Sequence, residues 1–330
     1  MKFPGVFIFI LFLQFNAFSQ LTQADKNSIA RKEDSLKVLS LKIIQGINSS
    51  DRLKADSLFT KGFVRALKSL YSFNYRFDSL ETISQLYATD SSFRIFTWQM
   101  VINDNVIRQH GAIQLKTNDG SLKLFPLIDK SDVTQNMSDT IGNNFGWMGA
   151  VYYKIIETKY QNRSYYTLLG YDENNIRSNK KIIEVLNFKD GQPVFGGRYF
   201  SIADNNLIPK NIARYVMEFK KEASPRLTYD AELNMIIMEH LISQSNEPNK
   251  KYTLIGDGDY EGFKWLNGKW TYISKVFTQV TPENQPPTPK LIRDAEGNID
   301  ETKLAGAEEA PATVPKTPAG KVKMKRKKKE

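Results

Sequence analysis

Ser92 to Leu127 reads SFRIFTWQMVINDNVIRQHGAIQLKTNDGSLKLFPL, and here the pattern of the chain changes to period two. Phe93 to Ile102, Ile107 to Lys116 and Leu122 to Leu127 predict strands, with turn formers at Asn103-Asp104-Asn105 and Asn118-Asp119-Gly120 between them. The same pattern resumes after a stretch rich in Gly and Asn (Gly142, Asn143, Asn144, Gly146). Val151 to Tyr160, Tyr165 to Tyr171, Lys181 to Phe188 and Val194 to Phe200 are joined by Gln161-Asn162-Arg163, a polar loop around Asn174, and Lys189-Asp190-Gly191. Tyr215 to Lys220, Leu233 to Leu241, Tyr252 to Ile255 and a hairpin from Phe263 to Ile273 complete the set. Parallel strands need long crossover helices, and none is written after residue 92. The expectation is an antiparallel meander of about a dozen strands, folded as a sandwich, a half-open barrel or a small propeller-like arrangement. A weak likeness between Tyr166–Asp172 and Tyr252–Asp257 is too little for a repeat protein.

On the N-terminal side the period is helical. Residues 22 to 47 carry Ile29, Leu36 and Ile43 at seven-residue spacing, with Leu39 and Ile47 beside them, and Thr22 with Asp25 fits a capping box. Asn48-Ser49-Ser50 breaks this helix. A second runs from about Asp51 to Leu70, with Leu53, Leu58, Phe59, Phe63, Val64, Ala66 and Leu67 on or near one face. A helical hairpin packed on its own body is expected, the heptad leaving a coiled-coil partner as the alternative. A short third helix is expected from Asp78. The class is therefore α+β: a helical region over 20–91 and an antiparallel β domain over 92–281.

Both ends differ from this body. Met1 and Lys2, the uncharged run Phe3 to Leu13 and the small-x-small site Ala17-Phe18-Ser19 have the layout of a secretory signal peptide over 1–19. Gln14, Asn16, Ser19 and Gln20 make the run too short for a membrane-spanning helix. Cleavage near Ser19 would deliver a soluble periplasmic or extracellular protein. From Pro282 onward the chain holds 7 of its 13 prolines and not one aromatic residue, so it cannot bury enough apolar area to order itself. A disordered tail over 282–330 is expected, ending in Lys321 to Lys329, where seven of nine residues are basic. The tail carries net +3 and the body net +6 of the chain's +10. Such a block can bind anionic envelope components by counterion release. Without aromatics among the lysines it has no stacking platform for bases, so no specific nucleic acid is expected.

Composition excludes much chemistry. The 330 residues contain no Cys, which removes disulfides, thiolate ligands, thiol nucleophiles and a lipidated N-terminus. The two histidines, His110 beside Arg108 and His240 after Glu239, stand in no recognised catalytic or zinc spacing. Asp257-Gly258-Asp259-Tyr260-Glu261-Gly262 matches the first half of a calcium loop, but its twelfth position is Gly268, so an acidic turn between strands is expected. Asn267-Gly268 is the preferred two-residue hairpin turn. It sets Trp265 against Trp270 and Phe263 against Tyr272, all on one face that is either core or a stacking platform for sugars. Asp172, Glu173, Asp257, Asp259 and Glu261 are the carboxylates a glycan hydrolase could use. No residue is assigned as catalytic, cofactor-binding or metal-binding.

Three segments carry a family resemblance: Asp90-Ser91-Ser92-Phe93-Arg94-Ile95-Phe96-Thr97-Trp98, Tyr165-Tyr166-Thr167-Leu168-Leu169-Gly170-Tyr171, and Gly262-Phe263-Lys264-Trp265-Leu266-Asn267-Gly268-Lys269-Trp270. With the Ala17-Phe18-Ser19-Gln20 pattern they resemble exported Bacteroidota proteins of unknown function. The resemblance implies export and a β-rich body and brings no activity with it. The leading expectation is a non-enzymatic, envelope-associated binding or scaffolding protein. A carboxylate-based hydrolase of a cell-surface glycan and a small-ligand β-barrel are the alternatives.

Overall fold

The computed structural model describes residues 21–277 except 104 and 203–207. The signal peptide and the basic tail expected from the sequence lie outside the described residues.

Two helices open the body, α1 (Gln23–Gln45) and α2 (Ser49–Leu67). Thr22 caps the first by accepting from the Asp25 amide at 3.1 Å, and Asn48 caps the second by accepting from the Asp51 amide at 2.9 Å. Four strands follow in the order of the chain: β1 (Ser84–Tyr87), β2 (Phe93–Asn103), β3 (Val106–Leu115) and β4 (Lys123–Ile128). A second sheet takes β5 (Gly142–Asn143), β6 (Val151–Tyr160), β7 (Arg163–Asp172), β8 (Ser178–Lys189) and β9 (Gln192–Phe195). β10 (Phe200–Ser201) belongs to the third sheet, while β11 (Arg214–Lys220) returns to the second beside β8. β12 (Leu227–Asp230), β13 (Met235–Ser243), β14 (Leu254–Leu266) and β15 (Lys269–Ile273) complete the third. Pairing is antiparallel throughout the long strands; among the described residues only the two-residue β10–β15 contact and an Asp129–Trp147 bridge are parallel.

Side-chain alternation stacks these elements as four layers. Phe96, Trp98 and Met100 leave one face of β2 and pack with Ile29, Leu36, Phe59 and Phe63 of the helices. Phe93 and Ile95 leave the other face and meet Tyr166, Leu168, Ile182 and Leu186 of the second sheet. Leu169, Ile183 and Val185 point away from that core into a third one, against Ile236, Phe263 and Trp270. The middle sheet is thus buried on both faces, which is why Tyr165–Leu169 and Ile182–Leu186 read as nearly unbroken apolar runs. Of the architectures left open by the sequence, stacked sheets are the one formed. The heptad residues Ile29, Leu36 and Ile43 are spent on the internal core, whereas Leu53 and Leu58 of α2 turn outward.

The third helix expected from Asp78 is not formed, and the reason is tertiary. Arg94 is fully buried, has no carboxylate partner among the described residues, and donates to Ser72 O at 2.8 Å and Tyr75 O at 2.7 Å. Its guanidinium lies over the rings of Phe96, Phe73, Phe77 and Tyr87, and burial holds its pKa down to about 10. From the other side Glu33 accepts from the Ser79 amide at 2.8 Å and the Tyr75 hydroxyl at 2.5 Å. The Ser72 and Tyr75 carbonyls ahead of Asp78 are thereby held by Arg94 and the Ser79 amide after it by Glu33, while Leu80 and Ile83 close backbone turns onto Phe77 and Leu80. It continues into β1, eight residues before the alternation of β2 becomes visible.

Candidate functional site: a cleft at the edge of the inter-sheet core

Two local devices open a cleft at one end of the second and third sheets. A bulge in β6 sets Tyr152 opposite Gly170 and Lys154 opposite Leu169, leaving Tyr153 as the extra residue. Tyr152 is held toward the first sheet, its amide donating to Thr97 Oγ1 at 2.9 Å and its carbonyl accepting from Ser84 Oγ. Tyr153 takes the opposite direction, and its hydroxyl donates to Leu227 O at 3.1 Å. The second device is the shortness of β12. With four residues it is the short edge strand of the third sheet, paired only with β13 among the described strands.

Register brings the lining together. Tyr171 pairs with Lys181, Lys181 with Met217, and Asn179 with Phe219, so one face of β7, β8 and β11 presents Tyr171, Lys181, Asn179 and Phe219 side by side. Tyr153, Leu227, Ala223 and Ser224 close the rest of a cavity of about 410 Å³. Of the lining residues Phe219 and Leu227 are buried, while Tyr153 is 40% exposed.

Asn179 is only 5% exposed, its Nδ2 donates to Lys221 O at 2.9 Å, and its Oδ1 is buried out of reach of solvent with no hydrogen-bond partner among the described residues. Turning the amide over would set oxygen against oxygen at Lys221, so the unpaired atom is fixed as an acceptor. An unsatisfied buried acceptor costs about 1–3 kcal/mol. Two residues along the strand, Lys181 Nζ donates to Pro225 O at 2.6 Å. Burial pulls its ammonium below the ordinary lysine range, against the opposing pull of the Glu239 carboxylate. Burial also pushes the Tyr171 phenol up to about 12, with Glu173 and Asp172 adding to it, and drives Tyr153 above the ordinary phenol range. Both phenols are neutral at physiological pH. The cleft thus offers one cation, two aromatic rings and apolar side chains in its lining.

The residues singled out in the sequence lie elsewhere. Phe263, Trp270 and Tyr272 are buried and Trp265 packs against them; the registers Trp265–Trp270 and Phe263–Tyr272 are as expected, and this face is core. Trp270 Nε1 donates inward to Thr167 Oγ1 at 2.9 Å. Asp257–Gly262 is not a turn between strands, which corrects the expectation: it is an irregular part of the single strand β14. There Glu239 pairs with Tyr260 and Leu241 with Gly256, so His240 stands opposite three residues. Gly258, at φ +89°, absorbs the excess length, and Asp257 ties it down by accepting from the Asp259 amide at 3.0 Å and pairing with His240 Nδ1 at 2.8 Å. Glu261 is buried, accepts from the Tyr272 hydroxyl, and is held by burial above the ordinary carboxylate range.

His110 stacks on Trp98 and lies 3.5 Å from Asp56, which also accepts from Trp98 Nε1 at 2.9 Å. Burial holds this histidine below its ordinary pKa, opposed by Asp56 and Asp129. Asp172 faces the first sheet, accepting from Gln109 Nε2 at 3.0 Å. Glu173 accepts from Gln99 Nε2 at 2.9 Å and pairs with Lys221 at 3.2 Å. None of these groups lines the cleft. Among the described residues no three His, Asp or Glu side chains converge as a metal would require.

Sequence reasoning passed over the cleft. Its one signal is the polar start of β8: Ser178-Asn179-Lys180-Lys181 precede the apolar Ile182–Leu186, marking where the double burial of the middle sheet ends. No family model, curated protein or solved structure matches the chain.

Proposed function

We propose that the chain is an exported, non-enzymatic binding protein of the cell envelope, of the kind its sequence resembles among Bacteroidota, with the cleft as its specific site and the basic tail as a nonspecific anchor. The observation that supports this reading is an open cleft of about 410 Å³, the size that small ligands fill, with Lys181 and the rings of Tyr153 and Tyr171 in its lining. Export is supported by the N-terminal layout of Lys2, Phe3–Leu13 and Ala17-Phe18-Ser19. No described helix is long and apolar enough to cross a membrane. The glycan-hydrolase alternative loses its stacking platform, because the Phe263–Trp270 face is core.

The test is retention on isolated envelope material. Deletion of 321–330 is expected to abolish the part of retention that falls with rising salt, and Lys181→Met the part that survives it. Retention unchanged by the deletion removes the tail from the reading. Retention indifferent to both changes, or absent in the intact chain, overturns it.

A further inference from the structure

The charge of the body is concentrated in one layer. Residues 21–70, which hold the two helices, carry ten basic and five acidic side chains, net +5, so only +1 of the body's +6 is left for the strands and their loops. Two of the five acids, Glu33 and Asp56, are buried and point inward, held by Tyr75, Ser79 and Trp98. Of the others, Asp25 and Asp34 are on α1 and Asp51 lies in the first turn of α2. Lys54, Leu58, Lys61, Arg65 and Lys68 follow it at steps of four, three, four and three, in one line along the face of α2 opposite the buried Phe59, Phe63 and Ala66. At 1.5 Å per residue the line is about 21 Å long. It contains no acid, all five residues are exposed, and none of its four cations is in an ion pair among the described residues. On α1, Arg31, Val38 and Lys42 are exposed on the face away from Ile29, Leu36 and Ile43.

We propose that this helical layer docks side-on against an anionic lipid bilayer, with the basic line of α2 over the headgroups. Charge complementarity and the exposed apolar residues choose this occupant. A second copy of the chain would set bases against bases, which opposes pairing through this face. A small anion needs cations that converge, and these are strung along a helix, Lys54 to Lys61 alone spanning about 10 Å. A linear polyanion would be met by charge only, yet Leu58 stands within the basic line, Val38 is exposed on α1, and Ile47, at the turn where the layer ends, is 95% exposed. The headgroup region accommodates both kinds of side chain, because lysine stems lie along the acyl boundary while their ammonium groups reach phosphate. Docked in this way, the chain keeps its cleft clear of the membrane, since the first sheet stands between the helices and the two sheets that form the cleft. The proposal extends the envelope reading and depends on neither the tail nor the cleft.

The experiment is co-sedimentation of the full chain, with and without residues 321–330, on vesicles of phosphatidylcholine alone or with about a third phosphatidylglycerol, at about 0.1 M salt. Both forms are expected to bind the anionic vesicles about tenfold or more tightly than the neutral ones, the tail adding only to the affinity of the full chain. In the shortened chain Lys54→Gln, Lys61→Gln and Lys68→Gln together are expected to weaken binding about tenfold or more, and the same three positions changed to Arg to keep it. An equal loss of charge on the strands, Lys123→Gln, Lys189→Gln and Lys264→Gln, is expected to change it less than about twofold. Leu58→Ser is expected to weaken vesicle binding about threefold and to leave binding to dextran sulfate unchanged. All these side chains are exposed, and far-UV circular dichroism checks that the fold is kept. Binding that ignores lipid charge, an equal loss from the strand variant, or no loss from the α2 variant overturns the proposal. Dextran sulfate bound as tightly as the vesicles, with Leu58→Ser neutral on both, makes a polyanion the partner and overturns the lipid assignment. If the shortened chain no longer binds vesicles while envelope retention still depends on the tail, the envelope reading stands and the helical face falls. If the α2 variant loses vesicle binding while envelope retention ignores the deletion, the face stands and the tail anchor falls.

Discussion

Single buried residues here do work that composition does not announce. Asp172 is a buried carboxylate whose Oδ1 accepts from Gln109 Nε2 and from the Asn174 amide at 2.9 Å. Burial raises its pKa above the ordinary value, with Lys180 pulling the other way and Asp129 adding to the rise. A raised folded-state pKa means that the folded chain keeps this proton after the unfolded chain has lost it. Between the ordinary carboxylate value near 4 and the raised one, stability therefore falls as pH rises, and above that window the full loss persists. Asp172→Asn keeps an oxygen for both donors and cannot ionise. It is expected to match the parent in urea midpoint at pH 3.5 and to exceed it at pH 7; a variant that loses ground as pH rises contradicts the assignment. Glu261 carries the same sign, whereas Asp90 is lowered against its own burial by hydrogen bonds from Tyr166 and Ser92 and carries the opposite one. None of this was legible in the sequence, where Asp172 is one acidic residue beside a turn. Its environment is made by Gln109, 63 positions away.

At the level of elements, legibility followed the locality of the signal. Hairpins whose register is fixed by adjacent residues were readable, as Asn267-Gly268 and the Trp265–Trp270 and Phe263–Tyr272 pairs show. Elements fixed by distant groups were not. The stretch around Asp78 is shaped by Arg94 on the Ser72 side and by Glu33 at Ser79, and β12 exists because β13 offers it an edge. The carbonyls of Pro225 and Leu227, at the start of β12, are taken up by Lys181 and Tyr153. That contact restrains an edge strand from pairing with another chain. The apolar runs of β7 and β8 gave strands but not their double burial, because period two is erased when both faces are covered. Leu168 and Leu169 make that double burial measurable. They are neighbours on β7, both fully buried, yet one packs against the first sheet and the other against the third. In a sheet with one wet face only one of two adjacent leucines would matter. Here Leu168→Ala and Leu169→Ala are each expected to cost about 2–5 kcal/mol in urea unfolding. A near-neutral result for either would mean that one face of the middle sheet is open.

The whole molecule is a stack in which the middle sheet belongs to two cores at once, and this bears on how it comes apart. A body of this size commonly unfolds through intermediates, since separate cores can melt separately. Here the core between the first and second sheets cannot be exposed without uncovering β7 and β8, whose opposite faces line the core between the second and third. A buried network stiffens the same sheet. Trp147 Nε1 donates to the Tyr152 hydroxyl at 2.7 Å, Tyr152 donates to Glu184, and Glu184 pairs with Arg214 at 2.9 Å. Arg214 in turn donates to the carbonyls of Met137 and Thr140, tying the loop after β4 to β11. Breaking this fully buried ion pair would strand a charge, so the network resists partial opening. Residues 21–277 are accordingly expected to melt in one calorimetric transition, with calorimetric and van't Hoff enthalpies equal. The two leucine variants sharpen the test, because they sit in different cores of one sheet. If the stack is cooperative, both lower the temperature of the same single peak. If the third sheet and its core unfold independently, Leu169→Ala splits the peak and shifts only its lower part, while Leu168→Ala leaves that part in place.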